Sequence, residues 1–155
     1  MDGYDDFYRA EQPRMVALAL ALTGVPEAAR DLAQDALVQA YRSWTTVSML
    51  ERPGAWVRRV TINASMSWHR RTKREAVAVA RLGPAATTEL PVGESDRFWH
   101  AVRSLPDRQR AAIALYYLED RSVAQVAAVL GIGEGTVKAT LHQARAKLAQ
   151  ALGVD

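Results

Sequence analysis

Apolar residues recur at intervals of three and four positions along most of the chain, and this spacing predicts α-helices. The pattern is most regular over residues 29–44. The apolar face predicted there consists of Ala29, Leu32, Ala33, Ala36, Leu37, Ala40, Tyr41 and Trp44. No run of the sequence alternates apolar and polar residues as a strand does, so the pattern predicts an all-α protein.

A second amphipathic helix is predicted to begin at Arg52-Pro53 and to end near Arg71. Proline suits the first turn of a helix, because the N–H that it lacks would have no partner there. The inward-facing stripe of this helix is predicted to consist of Trp56, Val57, Val60, Ala64 and Trp68. The arginines predicted to lie off the stripe are Arg58, Arg59, Arg70 and Arg71. The same helix would therefore supply a core face and a basic outer face.

The segment RLGPAATTELPVGES, residues 81–95, interrupts the helical pattern. It contains two prolines and two glycines and shows no apolar period, which is typical of a linker. We therefore predict two small helical domains, residues 1–82 and 96–155, joined by a short flexible linker at residues 83–95. About thirteen residues of extended chain reach on the order of 45 Å, so the linker would let the two lobes sit apart with separate cores.

The second lobe carries the pattern of two short helices joined by a glycine turn. Helices are predicted over residues 96–104 and from Pro106 onward. Ser122 is placed to cap the next helix, and Gly131 follows it where a left-handed residue is wanted. The apolar stripe of the last helix is predicted to be Val137, Leu141, Ala144 and Leu148. This order is typical of a helix-turn-helix, whose second helix enters the DNA major groove, and a plain helical hairpin is the alternative.

The distribution of charge adds two candidate surfaces. Residues 1–50 carry four basic and seven acidic side chains, whereas residues 51–82 carry eight basic and two acidic ones. The local basic excess suits contact with a polyanion, and a solvated helix face is the alternative. Beside the apolar face of residues 29–44 runs an acidic and polar ridge, called the acidic ridge below, which carries Glu27, Asp31, Gln34, Asp35 and Val38. This ridge is a candidate docking surface, or only a favourable place for carboxylates near a helix N-terminus.

Composition restricts where the protein works. The chain has no cysteine, which removes disulfides and suits the reducing cytoplasm. The start MDGYDDFYRA lacks the basic and apolar regions of a signal peptide, and MVALALALTG is too short to cross a bilayer. The basic tryptophan helix would not lie on a membrane surface, because its stripe matches that of residues 29–44 and the two are expected to pack together. A cytoplasmic protein with no membrane role is therefore expected.

Residues that could carry out chemistry are scattered. The histidines, His69, His100 and His142, have no partners at metal-ligand spacing. GIGEG lacks the preceding strand and the lysine-serine ending of a phosphate-binding loop. A nucleophile with an adjacent base is not evident. We therefore predict no enzyme activity, no metal and no cofactor.

Three segments together resemble a bacterial RNA polymerase sigma factor of the extracytoplasmic-function type. DLAQDALVQAYRSW is similar to the core-binding helix of the family's region 2, and RPGAWVRRVTINASMSWHRR to its promoter-melting and −10-reading helix. LPDRQRAAIALYYLEDRSVAQVAAVLGIGEGTVKATLHQARAKL is similar to the family's region 4. The segments occur in the family's order with a short linker between the two regions. The resemblance implies an initiation factor that binds core RNA polymerase and directs transcription from specific promoters.

The resemblance also implies roles for particular residues. Those implied to bind the β′ clamp helices of core polymerase are Asp31, Gln34 and Asp35. Those implied to bind the −10 strand are Arg59, Asn63 and Arg70, where Asn63 and the loop of residues 45–52 form a pocket for a flipped base. Those implied to face the −35 duplex are Thr136, Lys138, Ala139, His142 and Arg145. The second lobe would also bind the polymerase β flap, and an anti-sigma factor would be a further partner of a monomer.

Two other DNA-related functions stay open. A dimeric repressor or activator would use residues 105–155 and would leave the acidic ridge and the tryptophan helix unexplained. A factor that keeps a polymerase contact but has lost promoter recognition would fit Ala139-Thr140, which stand where the family often has Ser-Arg. Transcription from a supercoiled template with core polymerase would separate these two functions from an initiation factor.

Overall fold

The computed structural model describes residues 3–83 and 93–154, and every regular element within these ranges is a helix. The elements are α1 Tyr4–Thr23, α2 Pro26–Arg42, α3 Trp44–Val47, α4 Pro53–Ala80, α5 Glu94–Arg103, α6 Asp107–Ile113, a π-helical turn Ala114–Leu118, α7 Val123–Leu130 and α8 Glu134–Leu152. The all-α prediction is confirmed. Most of the predicted linker, residues 84–92, lies outside the described ranges. No helix in the described part of the chain is long and apolar enough to cross a membrane.

Helix α2 buries most of the face that the apolar spacing predicts. Its buried residues are Ala29, Leu32, Ala33, Ala36, Leu37 and Ala40. The Tyr4 hydroxyl of α1 donates a hydrogen bond to the Leu37 carbonyl at 2.7 Å and ties the two helices together. Tyr41 departs from the prediction, because 50% of its surface is exposed at the end of α2. Trp44 is buried as predicted, but it begins α3 instead of continuing α2.

Helix α4 is longer than predicted and buries a different face. It continues to Ala80 instead of ending near Arg71. Thr61 and Ser65 enter the core because their hydroxyls donate to carbonyls of their own helix, at 2.9 Å and 2.6 Å. The inward face is therefore rotated from the predicted stripe, and it includes an arginine that the prediction places outside. The buried residues of α4 are Val57, Arg58, Thr61, Ile62 and Ser65, whereas Trp56, Val60, Ala64 and Trp68 are half-buried.

The second lobe contains the predicted helix-turn-helix. The Ser122 hydroxyl accepts a hydrogen bond from the Gln125 N–H at 3.1 Å, and the Gln125 side chain accepts one from the Ser122 N–H at 2.9 Å. This capping box begins α7. Gly131 ends α7 with φ +69°, a left-handed conformation in which a side chain is strained. Helix α8 follows the turn and buries the predicted stripe of Val137, Leu141, Ala144 and Leu148.

The two lobes pack against each other and share one core. Helix α1 contacts α5 and the π-helical turn, and α4 contacts α7. Buried side chains of both lobes form one continuous apolar cluster, which includes Met15 and Leu18 of α1 and Val102, Ile113 and Leu141 of the second lobe. The expectation of two separate cores is therefore not met. A lobe of so few helices cannot enclose all its apolar side chains, so each buries the remainder against the other.

Candidate nucleic-acid interface

The acidic ridge lies on the solvent side of α2. Asp31, Gln34 and Asp35 are all exposed, and their spacing of three and four residues places them on one face of the helix. The Tyr8 hydroxyl approaches this face and donates to Gln34 Oε1 at 3.3 Å. The buried alanines and leucines of α2 hold the helix against α1 and fix the direction of the ridge. The ridge is thus a carboxylate-bearing surface on a rigid helix, open to a basic partner.

Arg58 joins the two lobes through a buried ion-pair network. Its side chain is 2% exposed. Its Nε donates to Glu119 Oε1 of the second lobe at 2.7 Å, and its Nη1 donates to the Gly54 carbonyl at 2.9 Å. Glu11 of α1 lies 2.8 Å from the same Nη1, which is an ion-pair distance without the alignment of a hydrogen bond. A guanidinium loses its hydration on burial, so it enters this interface only because two carboxylates accompany it.

The residues predicted to bind the −10 strand form one ridge of α4. Arg59, Asn63 and Arg70 are exposed, and intervals of four and seven residues keep them on one side of the helix. The Arg59 guanidinium lies against Gly131 in the turn of the helix-turn-helix. The two are so close that a side chain at residue 131 would place its Cβ 3.0 Å from Arg59 Nη1. Arg70 Nη1 lies 3.7 Å from Asp107 Oδ2. Both arginines of this ridge therefore contact the second lobe in the closed arrangement.

The residues predicted to face the −35 duplex are all exposed. They are Thr136, Lys138, Ala139, His142 and Arg145. Lys138, His142 and Arg145 follow intervals of four and three residues and form one stripe on α8. The exposed stripe on the second helix of a helix-turn-helix is the surface that enters the major groove. The predicted −35 residues therefore lie on the side of α8 that a duplex could approach, and their contact with DNA stays a prediction.

A tyrosine pair holds Arg145 at the end of this stripe. Arg145 Nε donates to the Tyr117 hydroxyl at 2.7 Å, and the guanidinium lies 5.2 Å from the centre of the Tyr116 ring. The hydrogen bond with Tyr117 raises the pKa of Arg145, and burial opposes the shift. A guanidinium has five donors, so the tyrosines can fix its direction and still leave N–H groups for DNA. The apolar spacing gives no signal for this contact, because Tyr117 and Arg145 are 28 positions apart.

His69 lies on α4 between α1 and the second lobe. Its Nε2 is 2.6 Å from the Leu22 carbonyl oxygen. Burial lowers the pKa of His69, the hydrogen bond to Leu22 opposes this shift, and the nearby Arg110 cation lowers the pKa further. The neutral imidazole, with its proton on Nε2 toward Leu22, is therefore the form that the folded protein favours.

The free energy of unfolding is expected to fall as the medium becomes acidic, in part because of His69. Because the pKa of His69 is lowered in the folded protein, the unfolded chain binds a proton at this imidazole more readily than the folded chain does. The contribution of His69 to the unfolding free energy is therefore complete above the ordinary histidine pKa of about 6.5 and is lost as the pH falls through and below that value. Urea denaturation from about pH 8 to pH 5 should show a shallower decline for His69→Gln than for the wild type. His142→Gln, at an exposed position, is the control. Identical profiles for the wild type and His69→Gln would contradict this assignment.

Comparisons with known proteins match both lobes. The family model for sigma-70 region 2 matches residues 7–75, and the model for sigma-70 region 4 matches residues 95–148. The chain is 33% identical over 151 residues to the RNA polymerase sigma-E factor of Streptomyces avermitilis, covering 96% of this chain and 84% of that protein. It is 31% identical over 152 residues to the ECF RNA polymerase sigma factor SigM of Mycobacterium tuberculosis, covering 97% of this chain and 78% of SigM.

A solved structure shows the same arrangement of helices. The sigma factor RpoE from Bartonella quintana, in complex with the anti-sigma factor NepR, superposes on this chain with a TM-score of 0.77 and 26% identity. The superposition covers 100% of this chain and 99% of that one. The likeness therefore extends over both lobes.

Proposed function

The chain belongs to the extracytoplasmic-function group of RNA polymerase sigma factors, and from that premise we propose that it reads promoters with two surfaces, the −10 strand with α4 and the −35 duplex with α8. As a sigma factor, it binds core RNA polymerase and directs promoter-specific initiation. The observation that carries the proposal is that one chain holds both regions in order, each with its exposed stripe of polar residues. A dimeric repressor would need only the second lobe.

Core polymerase binding is assigned to the acidic ridge of α2 and to the second lobe. Asp31 and Asp35 offer two carboxylates four residues apart, and Gln34 lies between them on the same face. Their complement is a basic helical surface, which the β′ clamp helices of the polymerase would supply. The second lobe would take the β flap. Two anchoring points on one enzyme would fix the distance between the two DNA-reading surfaces.

The −10 strand is assigned to Arg59, Asn63 and Arg70. Arginines pair with the phosphates of a separated strand, and an amide both donates to and accepts from a base edge. The neighbouring loop exposes 83% of Met49, an apolar surface against which an unstacked base can lie. Removing a base from the stack costs a few kcal/mol, which only specific contacts of this kind recover. Asn63 would therefore select the base, and the arginines would hold the backbone.

The −35 duplex is assigned to Thr136, Lys138, Ala139, His142 and Arg145. Lysine and arginine suit phosphates and guanine edges, and the threonine and alanine suit close approach to a phosphate or a thymine methyl. With two full positive charges, the stripe neutralises few phosphates, so the isolated protein is expected to bind duplex DNA weakly. Core polymerase would supply the remaining binding free energy.

Lys138→Ala is expected to weaken −35 binding and to reduce the dependence of log K on log salt by about one. The reason is that each cation that neutralises a phosphate releases about one counterion. Fluorescence anisotropy of the holoenzyme with a −35 duplex, over a series of salt concentrations, gives the slope. Lys147→Ala is the control, because nine residues place Lys147 on the opposite side of α8. An unchanged slope for Lys138→Ala would remove this lysine from the phosphate contacts.

The closed arrangement of the lobes does not bind a promoter in the assigned way. Arg59 contacts the helix-turn-helix turn and Arg70 lies 3.7 Å from Asp107, so both arginines of the −10 surface face the second lobe. Promoter recognition would require the lobes to separate. Core polymerase, by binding each lobe at its own place, would favour the open state by population shift.

A protein inhibitor of the anti-sigma class is the further partner that we assign to this chain. The similar RpoE structure is a complex with the anti-sigma factor NepR. The sigma factor itself would act as a monomer in the cytoplasm, where its polymerase works. Promoter opening draws on binding free energy, so no catalytic residue and no cofactor is assigned.

In vitro transcription with purified core RNA polymerase, followed by mapping of the start sites, tests the proposed function. On supercoiled template, the protein is expected to produce transcripts whose start sites share one −10 and one −35 sequence. A factor that had lost promoter recognition would join the polymerase without producing such transcripts, and a repressor would bind duplex DNA without the polymerase. Failure to associate with core polymerase at any ionic strength would overturn the proposal.

A further inference from the structure

An arginine-lined cleft opens between the two lobes, where α1, α4 and α7 meet. Its volume is about 340 Å³, which is in the range of small-molecule sites. The polar residues that line it are Glu11 and Arg14 of α1, Arg52 and Arg58 at the start of α4, and Arg121 and Gln125 of the second lobe. Four arginines thus accompany one carboxylate around a space that neither lobe forms alone.

The positive charge of this arginine cleft is incompletely paired. Arg58 has Glu11 and Glu119 as partners, and Arg121 Nε lies 3.9 Å from the same Glu119. Among the residues that the structure describes, no carboxylate forms an ion pair with Arg14 or Arg52. Arg14 and Arg52 are both exposed, so the excess positive charge of the cleft is on exposed side chains beside the buried Arg58.

Two guanidinium donors at the cleft are also buried without a hydrogen-bond partner. They are Arg58 Nη2 and Arg121 Nε. The Arg58 side chain is 2% exposed, so its free donor belongs to a nearly enclosed group. An unpaired buried donor costs free energy, and a cation shielded from water attracts an anion more strongly than an exposed one does. An anion with several acceptor oxygens would balance the unpaired positive charge and, after small shifts of the arginine side chains, would also accept hydrogen bonds from the unpaired donors.

We propose that the arginine cleft binds a small polyphosphate anion, of which inorganic diphosphate is the simplest example. Arginine suits this chemistry, because its planar donors can pair with two phosphate oxygens at once. The other walls are aliphatic, from Ala55, Ala128 and Val129, and no aromatic side chain is among the described residues that line the cleft. Recognition therefore falls on the phosphate groups and not on a stacked base. The first turn of α4 adds the positive end of a helix dipole.

Binding in the arginine cleft is coupled to closure of the lobes. The site needs Arg14 from one lobe and Arg121 from the other, so the anion binds the closed arrangement and not the separated one. A ligand that binds one of two states shifts the population toward that state. Diphosphate thereby holds Arg59 and Arg70 against the second lobe and lowers promoter affinity. This last consequence rests on the proposed function, whereas the binding does not.

Isothermal titration of the full chain with sodium diphosphate, at constant ionic strength, tests the site. We expect one site with a Kd below about 1 mM. Arg14→Gln with Arg121→Gln is expected to raise the Kd at least about tenfold, because each change removes a charged hydrogen bond to the anion. Arg52→Gln changes an exposed side chain, so the fold is expected to stay intact. This variant is also expected to have a higher Kd for diphosphate than the wild type.

The matched control is Arg42→Gln with Arg97→Gln. It removes the same charge from exposed positions, one in each lobe, that do not line the cleft. This pair is expected to keep the wild-type Kd. Equal losses in the cleft pair and the control pair would overturn the proposal, because they would show attraction to net charge alone. Absence of binding at several millimolar diphosphate would overturn it as well.

Titrations with other phosphate compounds show whether the cleft binds a free anion, a nucleotide or single-stranded DNA. An equal Kd for adenosine diphosphate supports a free anion, and a lower Kd supports a nucleotide bound by the same phosphate chemistry. A single-stranded oligonucleotide that binds through Arg14 and Arg121, where diphosphate does not bind, would assign the cleft to DNA and overturn the proposal. Promoter-specific transcription without diphosphate binding overturns this proposal alone, and diphosphate binding without transcription overturns the proposed function alone.

Discussion

Asp31→Arg with Asp35→Arg is expected to abolish association with core RNA polymerase, raising the Kd by at least about a hundredfold. Both carboxylates are exposed on one face of α2, and their replacement turns an attraction for a basic partner into a repulsion. Like charges placed against each other at an interface cost several kcal/mol. Neither side chain takes part in the core, so the helix content should be unchanged. Titration of labelled protein with core enzyme measures the Kd, and circular dichroism measures the helicity.

The matched control for this change is Asp5→Arg with Asp6→Arg. These residues are exposed acidic side chains in the first turn of α1, and their reversal alters the net charge by the same amount. We expect this variant to bind core polymerase almost as the wild type does. If both pairs weaken binding equally, long-range charge and not the acidic ridge governs the association, and the assignment of Asp31 and Asp35 is wrong.

Arg58→Ala is expected to lower the free energy of unfolding by about 3–5 kcal/mol. The change leaves Glu11, whose side chain is 11% exposed, without its cation, and it leaves Glu119, 8% exposed, with only the more distant Arg121. Removing one member of a buried ion pair is costly for this reason, even where the intact pair contributes little. Urea denaturation followed by circular dichroism at neutral pH measures the loss. Small-angle scattering of the native variant would show whether the lobes also separate.

Two companions give the Arg58 experiment its controls. Arg71→Ala removes an exposed arginine from the same helix and is expected to change the unfolding free energy by no more than about 0.5 kcal/mol. Arg58→Met with Glu11→Gln and Glu119→Gln removes all three charges of the network and should recover much of the stability, because no buried carboxylate is left unpaired and the Arg121 side chain, which loses Glu119, is 26% exposed. A loss for Arg58→Ala no larger than that for Arg71→Ala would show that the network contributes no stability.

Features that depend on neighbouring residues were predictable from the sequence. The capping box at Ser122 and the left-handed Gly131 are set by residues within one helical turn, so the boundaries of the helix-turn-helix follow from local chemistry. The buried face of α2 was predictable because alanine and leucine recur there with the helical period. The same periodicity placed the residues predicted for −35 contact on the exposed side of α8.

Features that depend on distant residues were not predictable. Arg58 is buried because it pairs with Glu119, which is 61 positions away in the chain. No pattern within α4 indicates this partner. Without that partner, an arginine beside an apolar stripe is reasonably placed in solvent. The shared core has the same origin, because the periodicity of each helix shows which face is apolar but not which lobe covers it. The roles of the predicted binding residues stay predictions until the partners are tested.

Because the Arg58–Glu119 ion pair is buried, the contact between the two lobes is expected to respond less to salt than the contact with DNA does. Counterions screen exposed charges within a few ångströms but have little access to a pair whose side chains are 2% and 8% exposed. Contacts with DNA phosphates weaken steeply as the salt concentration rises. Concentrated salt is therefore expected to release the nucleic acid while the two lobes stay in contact. A high-salt preparation would then accumulate the closed form, which under the proposed function does not engage a promoter.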